Sequence, residues 1–329
     1  MELRAAKASE FEEIADLQQC VFRPHQPESK SRYLAYAKGD PTFTLEHARV
    51  IEVDGRLVAH LRIWDRTLNV NGVELFAAGI GSLCVHPDYR KRGYAQALMH
   101  DSERYFFQAG YDLGLLFTII GTPFYEALDW IPIPLSTFAF DVADESREVA
   151  DVRKLDVAQD LQAVMELYNT YGKGYSGTAN RDRDYWTSDP AQIRSLFPQW
   201  GVIQNGDLVA FMNIWIEEEE VWVNEVCGVP GVQPAYSELA GVALEYSKGK
   251  RLGGSLPRDH AFVNTLETMT QTKAVWDIDD HMMVKGVNWD TLREKLGNNL
   301  VPNPPPTAEG EFWTQVFGEN MYYWETDVF

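Results

Sequence analysis

Two different local patterns occur twice in this 329-residue chain at almost the same offset, and that repetition limits the folds open to it. Ser9-Glu10-Phe11-Glu12 has the form of a capping box opening a helix, with Ile14, Leu17 and Val21 along one face. Asp156-Val157-Ala158-Gln159 opens a second helix, whose face carries Leu161, Val164, Leu167, Tyr168 and Tyr171. Val53-Asp54-Gly55-Arg56-Leu57-Val58-Ala59-His60 is a hairpin signal, and Gln204-Asn205-Gly206-Asp207-Leu208-Val209-Ala210-Phe211 repeats it. The helix starts lie 147 residues apart and the hairpin glycines 151 apart. Two unrelated features displaced by a near-constant distance indicate a duplicated unit.

A third feature belongs to the first copy alone. Gly79-Ile80-Gly81-Ser82-Leu83-Cys84-Val85 reads as a strand, ended by Pro87. Ala95, Leu98, Met99, Ser102, Tyr105, Phe106 and Ala109 then recur at helical spacing, and Gly110 is placed to stop the helix. Between them lies Arg90-Lys91-Arg92-Gly93-Tyr94. A strand-to-helix turn exposes unpaired backbone N–H groups, Gly93 lets a ligand approach the main chain, and three cations sit at the same spot. That combination suits a phosphate or pyrophosphate. The matching turn of the second copy, Val229-Pro230-Gly231-Val232-Gln233-Pro234-Ala235-Tyr236, has no arginine and loses a donor at Pro234. The second copy is therefore expected to fold alike, to bind such a ligand poorly or not at all, and to wall off a pocket or pack on the first.

Arg90-Lys91-Arg92-Gly93-Tyr94-Ala95 resembles the Arg/Gln-x-x-Gly-x-Gly/Ala pyrophosphate loop of the GCN5-related N-acetyltransferases. A dinucleotide-binding fold is disfavoured, because Gly-x-Gly-x-x-Gly is absent. The resemblance implies acetyl-CoA as co-substrate, with Arg90, Lys91, Arg92, Gly93, Tyr94, Ala95 and Gln96 around the diphosphate. It also implies that Leu83, Cys84 and Val85 lie along the pantetheine arm. Ile120 and Gly121, where an expected buried strand Leu113–Ile120 ends, complete the expected coenzyme-binding set. Phe124-Tyr125 resembles the family's Phe-Tyr-x-x-x-Gly segment, which implies that Tyr125 protonates the departing thiolate. A phenol can donate to a thiolate of ordinary pKa. Asp129 stands where that segment has its glycine, so the course of the turn is open.

An attacking ammonium must also lose a proton. Glu46, His47, Asp65 and His86 fall near expected strands or turns, and each reads more simply as a surface group. The tandem layout and aromatic tail resemble the Eis-type acetyltransferases, in which the last carboxylate reaches the active site. By that resemblance Phe329 is a second catalytic candidate, and a homo-oligomer is implied. The expected fold class is α/β: two tandem mixed-sheet domains of this family's type, the second degenerate, followed by a short tail. The divisions are 1–146 (catalytic), 147–286 (degenerate copy) and 287–329 (a helix, the stiff segment Pro302-Asn303-Pro304-Pro305-Pro306, and an aromatic tail expected to dock).

Composition narrows the partners. A net charge of −20 disfavours nucleic acid and anionic membranes and agrees with a cationic amine acceptor. No apolar run reaches membrane-spanning length, no signal-peptide pattern opens the chain, and the three cysteines are scattered. Together these imply a cytoplasmic enzyme without a disulfide framework. The seven histidines show no ligand spacing, and Asp277-Ile278-Asp279-Asp280-His281 reads as a solvated acidic turn, so no metal is expected. The expected activity is acetyl transfer from acetyl-CoA to a primary amine of a cationic small molecule or peptide, by direct attack in a ternary complex. A CoA-binding sensor or scaffold without catalysis is the alternative.

Overall fold

The computed structural model describes residues 1–144, 152–229, 231, 233–302, 304–306, 309–318 and 321–323. The first half runs β1 (Glu2–Ala5), α1 (Phe11–Phe22), α2 (Ser29–Gly39), β2 (Ala48–Val53), β3 (Arg56–Val70) and β4 (Val73–Val85). It continues with α3 (Tyr94–Ala109), β5 (Leu113–Phe117), α4 (Pro123–Glu126), β6 (Ile131–Pro132) and β7 (Leu135–Asp141). The second half begins with β8 (Arg153–Lys154), α5 (Val157–Gly172), β9 (Thr178–Ala179), α6 (Arg183–Thr187) and α7 (Asp189–Ile193). β10 (Trp200–Gln204), β11 (Asp207–Ile216), β12 (Glu220–Gly228), α8 (Gln233–Tyr246) and β13 (Arg251–Ser255) follow. The chain closes with α9 (Ala261–Thr270), β14 (Val275–Asp279), β15 (Met282–Gly286), α10 (Trp289–Leu296) and α11 (Glu309–Phe317).

The architecture is mixed α/β, with two mixed sheets on one plan. The first is ordered β1-β2-β3-β4-β5-β15-β6, with β9 alongside β3; the second is β14-β7-β13-β12-β11-β10-β8. Among the described pairs, each sheet has one parallel pair, β4 with β5 and β12 with β13. Each sheet also borrows a strand. β7 belongs to the first half in sequence yet pairs with β13, and β15 belongs to the second half yet pairs with β5.

Local chemistry accounts for the repeated elements. Both hairpins turn on two residues of positive φ, Asp54-Gly55 and Asn205-Gly206, as the tight turn between twisted strands requires. Asp156 caps α5 by accepting from the Ala158 N–H at 2.9 Å. The first helix opens differently from the sequence expectation. A 3-10 turn over Ala8–Glu10 precedes α1, and the Glu10 carboxylate accepts from the Lys7 N–H at 2.7 Å. Arg4 holds Glu10 in that position, at 2.7 Å.

Strand alternation splits the first sheet into two apolar faces. Ile63, Ala78, Ile80 and Leu116 meet Leu98, Met99 and Phe106 of α3. Leu75, Ala77, Leu113 and Leu115 meet Phe312, Trp313, Val316 and Phe317 of α11. The C-terminal segment therefore docks as one cover of the first sheet. Tyr322 lies in the core of the second sheet and Tyr323 in the core beneath α11, so adjacent tail residues fasten both halves.

Candidate active site

β4 and β5 pair only from Ala77 with Leu113 to Ile80 with Leu116. Residues 81–85 of β4 continue without β5 beside them, and the main-chain groups on that side are left for a ligand. On its other side β4 bulges against β3. His60 pairs with Cys84 and Arg62 with Gly81, and Ser82 takes φ 54° inside the irregularity. The splayed strands open a cleft of about 790 Å³. Its wall collects most of the expected coenzyme set, Leu83, Cys84, Val85, Arg90, Lys91, Gly93, Tyr94, Ala95, Gln96 and Ile120, together with the catalytic candidate Tyr125.

At the basic end, Gly93 (φ 79°) precedes α3 with no side-chain cap on the helix. The N–H groups of residues 91–96 donate to no protein group among the described residues, whereas Ala97 N–H already bonds Gly93 O at 2.9 Å. The turn thus presents several exposed donors at the positive end of a 16-residue helix. Arg92 is an expected contact that does not line the cleft. Its Nη2 donates to Asp88 O at 3.1 Å, and its guanidinium stacks on the Tyr89 ring. Cys84 contributes main chain only: its thiol is buried, which pushes its pKa up to about 12.

The expected strand Leu113–Ile120 is shorter in the structure. It ends at Phe117, and Ile119 and Ile120 are 91% and 71% exposed. Thr118 ends it: its N–H bonds His281 O at 2.9 Å while its Oγ1 accepts from Ile120 N–H at 3.2 Å and donates to Gly121 O at 3.0 Å. Gly121 (φ 86°) shapes this turn and does not line the cleft, whereas Ile120 lies at its mouth. Tyr125 follows on α4, 7% exposed, and its hydroxyl makes no protein hydrogen bond among the described residues. Burial raises its pKa, which keeps the phenol protonated and able to donate. Asp129 adopts the glycine-like φ of 63°, which Asp tolerates better than most residues. The Tyr125 carbonyl accepts from Leu128 and Trp130 at 2.9 and 3.1 Å, so the turn is closed despite the substitution. Phe329 lies outside the described residues.

A second cleft, about 670 Å³, meets the first at Ser82, which lines both. The first half contributes Asp40, Trp64, Asp65, Glu74 and Phe76; the second contributes Asn180, Asp182, Asp184 and Tyr185. Five carboxylates line it against three arginines, Arg32, Arg66 and Arg194. Asp40 is already paired with Arg62 at 2.7 Å. Asp65 accepts from the Tyr111 hydroxyl, and His47 Nε2 lies 3.6 Å from the same carboxylate and 3.4 Å from the Tyr111 oxygen. His47 Nδ1 accepts from Thr44 N–H, so the neutral ring carries its proton on Nε2. Burial lowers the His47 pKa and raises that of Tyr111, where Asp65 adds to the rise. His47 and Asp65 are thus structural partners at the wall of this cleft. Glu46 instead pairs with Arg49 at 2.7 Å, and His86 bonds Arg56 at 2.9 Å. Arg181, fully buried against Glu225 at 2.9 Å, anchors the segment that brings Asp182 and Asp184 to the wall.

A family model described as an acetyltransferase (GNAT) domain matches residues 2–133. Those residues are a GNAT acetyltransferase domain. Enzymes of this family are N-acetyltransferases and take their acyl group from an acyl-CoA. No curated protein matches the chain in sequence. In fold it is similar to a probable N-acyltransferase from Enterococcus faecalis V583 (18% identity, TM-score 0.69, 89% of this chain and 74% of that one). It is also similar to Eis1 from Mycobacterium abscessus (16%, 0.62, 90% and 76%). N-myristoyltransferase from Saccharomyces cerevisiae with bound myristoyl-CoA is a further structural neighbour (12%, 0.57, 86% and 82%).

The second sheet is consistent with a second GNAT-like domain, with β12 and β13 in the places of β4 and β5. Where the GNAT domain opens its cleft, this half is filled. Tyr171, Tyr175, Tyr236, His260 and Tyr322 gather into one aromatic cluster. The Tyr236 hydroxyl would stand 2.8 Å from a Cβ placed on Gly228. Asp279, Asp280 and His281 bring ligand atoms within 4.8 Å of one another between β14 and β15, with Asp280 and His281 exposed. No helix among the described residues is long and apolar enough to cross a membrane.

Proposed function

We propose that this chain is an acetyl-CoA-dependent N-acetyltransferase whose acceptor is a primary amine of a cationic small molecule or peptide. The observation that carries the reading is the junction at Ser82. There a cleft with a basic turn and a buried tyrosine meets a cleft in whose wall carboxylates outnumber arginines. An anionic donor suits the first, with its free amides and its Arg90 and Lys91 side chains. A cation suits the second.

The reaction follows from that placement. Pantetheine lies along residues 83–85, and one main-chain N–H there polarises the thioester carbonyl. The neutral amine, delivered from the acidic cleft, attacks the carbonyl carbon. The new C–N bond forms, the C–S bond breaks, and Tyr125 protonates the thiolate. The nitrogen's surplus proton leaves to a base. Phe329 belongs to this proposal as the bearer of a carboxylate base. The Tyr323 ring lies tilted with its centroid 5.0 Å from that of Phe117, a residue of the coenzyme cleft, and the six residues from there to Phe329 can span roughly 20 Å extended. The divisions 1–146, 147–286 and 287–329 are proposed as units of sequence, with the GNAT domain catalytic. A homo-oligomer and a cytoplasmic setting remain part of the same reading.

Release of free CoA from acetyl-CoA, followed with a panel of amines, tests the activity. Tyr125→Phe is expected to lower kcat by about 10²–10⁴ while leaving the Kd for CoA unchanged. A fully active variant removes Tyr125 from the mechanism, and CoA binding without turnover on any amine favours a non-catalytic module.

A further inference from the structure

Direct attack brings the amine nitrogen and the acyl carbon to one point, and that point lies where the two clefts meet. Among the described residues Ser82 alone lines both clefts. The residues on either side of it in β4, Ile80, Gly81, Leu83, Cys84 and Val85, line the coenzyme cleft and not the acceptor cleft. Tyr125 also belongs to the coenzyme side alone. The phenol is therefore placed for the departing sulfur, and Ser82 for the incoming nitrogen.

The backbone at Ser82 is shaped against local preference. Arg62 pairs with Gly81 and His60 with Cys84, so Ser82 and Leu83 together face Leu61 alone. A bulge of this kind re-aims a side chain and is frequent beside active sites. Ser82 also takes φ 54°, a value unfavourable to a residue with a Cβ, while the neighbouring Gly81 does not. The position that glycine would fill without strain thus carries a hydroxyl, and strain kept at such a place points to function. The hydroxyl bonds no described residue, and it is not sealed from solvent as that of Ser102 is. A serine oxygen can accept and donate hydrogen bonds at once. With no histidine or carboxylate bonded to it, this one is not activated as a nucleophile.

We propose that the Ser82 hydroxyl is a catalytic group that accepts a hydrogen bond from the attacking amine and relays its surplus proton to the base. The role rests on the proposed reading, with the acyl donor on one side of Ser82 and the amine on the other. As the C–N bond forms, one N–H proton passes to Oγ while the Oγ proton passes to the base, a carboxylate, so the hydroxyl is restored. Ser82→Gly and Ser82→Ala test the relay through Tm, the Kd for CoA, and kcat with acetyl-CoA and the best amine of the panel. Both variants are expected to lower kcat by about 10² with the Kd for CoA unchanged. Ser82→Gly suits the φ and is expected to keep the Tm of wild type, so it carries the test if Ser82→Ala does not fold. Undiminished kcat in Ser82→Gly would overturn the relay, even beside a slow Ser82→Ala, because the loss would then come from strain. A fall of both Tm and CoA affinity in Ser82→Gly would make the residue structural and overturn it equally. So would an acetyl group on Ser82 in wild type mixed with acetyl-CoA and no amine, read by mass spectrometry. No turnover of any amine by wild type would overturn the acetyltransferase reading and the relay with it.

Discussion

Gly93 concentrates two demands in one position. Its φ of 79° strains any residue with a Cβ, and its place before α3 requires main chain to face the ligand. No protein atom lies within 4 Å of a Cβ built there, so Gly93→Val meets no clash in the free protein. The substitution is expected to weaken acetyl-CoA binding by at least about tenfold, with backbone strain costing roughly 1–3 kcal/mol of stability. Calorimetric titration with CoA, read beside a melting curve, separates the two effects, and an unchanged Kd would refute the loop assignment. His260 makes a prediction of a different kind. Burial lowers its pKa to about 3, and its Nδ1 accepts from Phe262 N–H at 3.2 Å, so the folded ring is neutral with its proton on Nε2, facing Tyr171. A depressed folded value means the unfolded chain binds the proton more tightly. The contribution is full above the ordinary histidine pKa of about 6.5 and is lost as pH falls toward 3. His260→Gln should therefore flatten the fall of Tm between pH 7 and pH 4, and equal slopes in the two proteins would count against this role.

At the level of elements, the helices and hairpins that the sequence announces are the ones whose signals are local. Asp156, Gly110 and the pairs Asp54-Gly55 and Asn205-Gly206 sit at the caps and turns where their chemistry places them. The strand after α3 was read three residues too long, because Ile119 and Ile120 are apolar and the bend at Thr118 depends on a bond to His281, far away in sequence. Apolar composition alone cannot tell a buried strand from exposed residues at a ligand cleft. The exchange of β7 and β15 is equally silent in the sequence, since each strand has the same alternation whichever sheet takes it. The bulge at Ser82 had only small neighbours, Gly79 and Gly81, to mark it. The tail could be read to dock from its aromatic content, and Trp313 is fully buried. Trp313→Ala is expected to cost about 3–5 kcal/mol, measured as a drop in the urea midpoint. The terminal role of Phe329 is tested by lengthening. With two residues added after Phe329, kcat should fall sharply at unchanged CoA affinity, and undiminished turnover would reduce the tail to a cover for the sheet.

Across the whole molecule, the excess of carboxylates acquires a direction. The turn that faces the coenzyme carries Arg90 and Lys91, while the cleft on the other side of Ser82 gathers carboxylates from both halves. The second copy has lost the basic turn and filled its own cleft, and it lends Asp182 and Asp184 to the acceptor side of the first. That division of labour predicts that a charge change on the second copy alters acceptor binding without touching the donor. Asp184 is exposed on the first turn of α6, where substitution costs the fold little. Asp184→Lys is expected to raise KM for a cationic amine by about tenfold, equivalent to roughly 1.4 kcal/mol, with KM for acetyl-CoA unchanged. The effect should shrink as salt is raised, because charges this exposed are screened over about 8–10 Å at physiological ionic strength. Equal KM values for wild type and Asp184→Lys at low salt would show that the acceptor does not bind between the two halves.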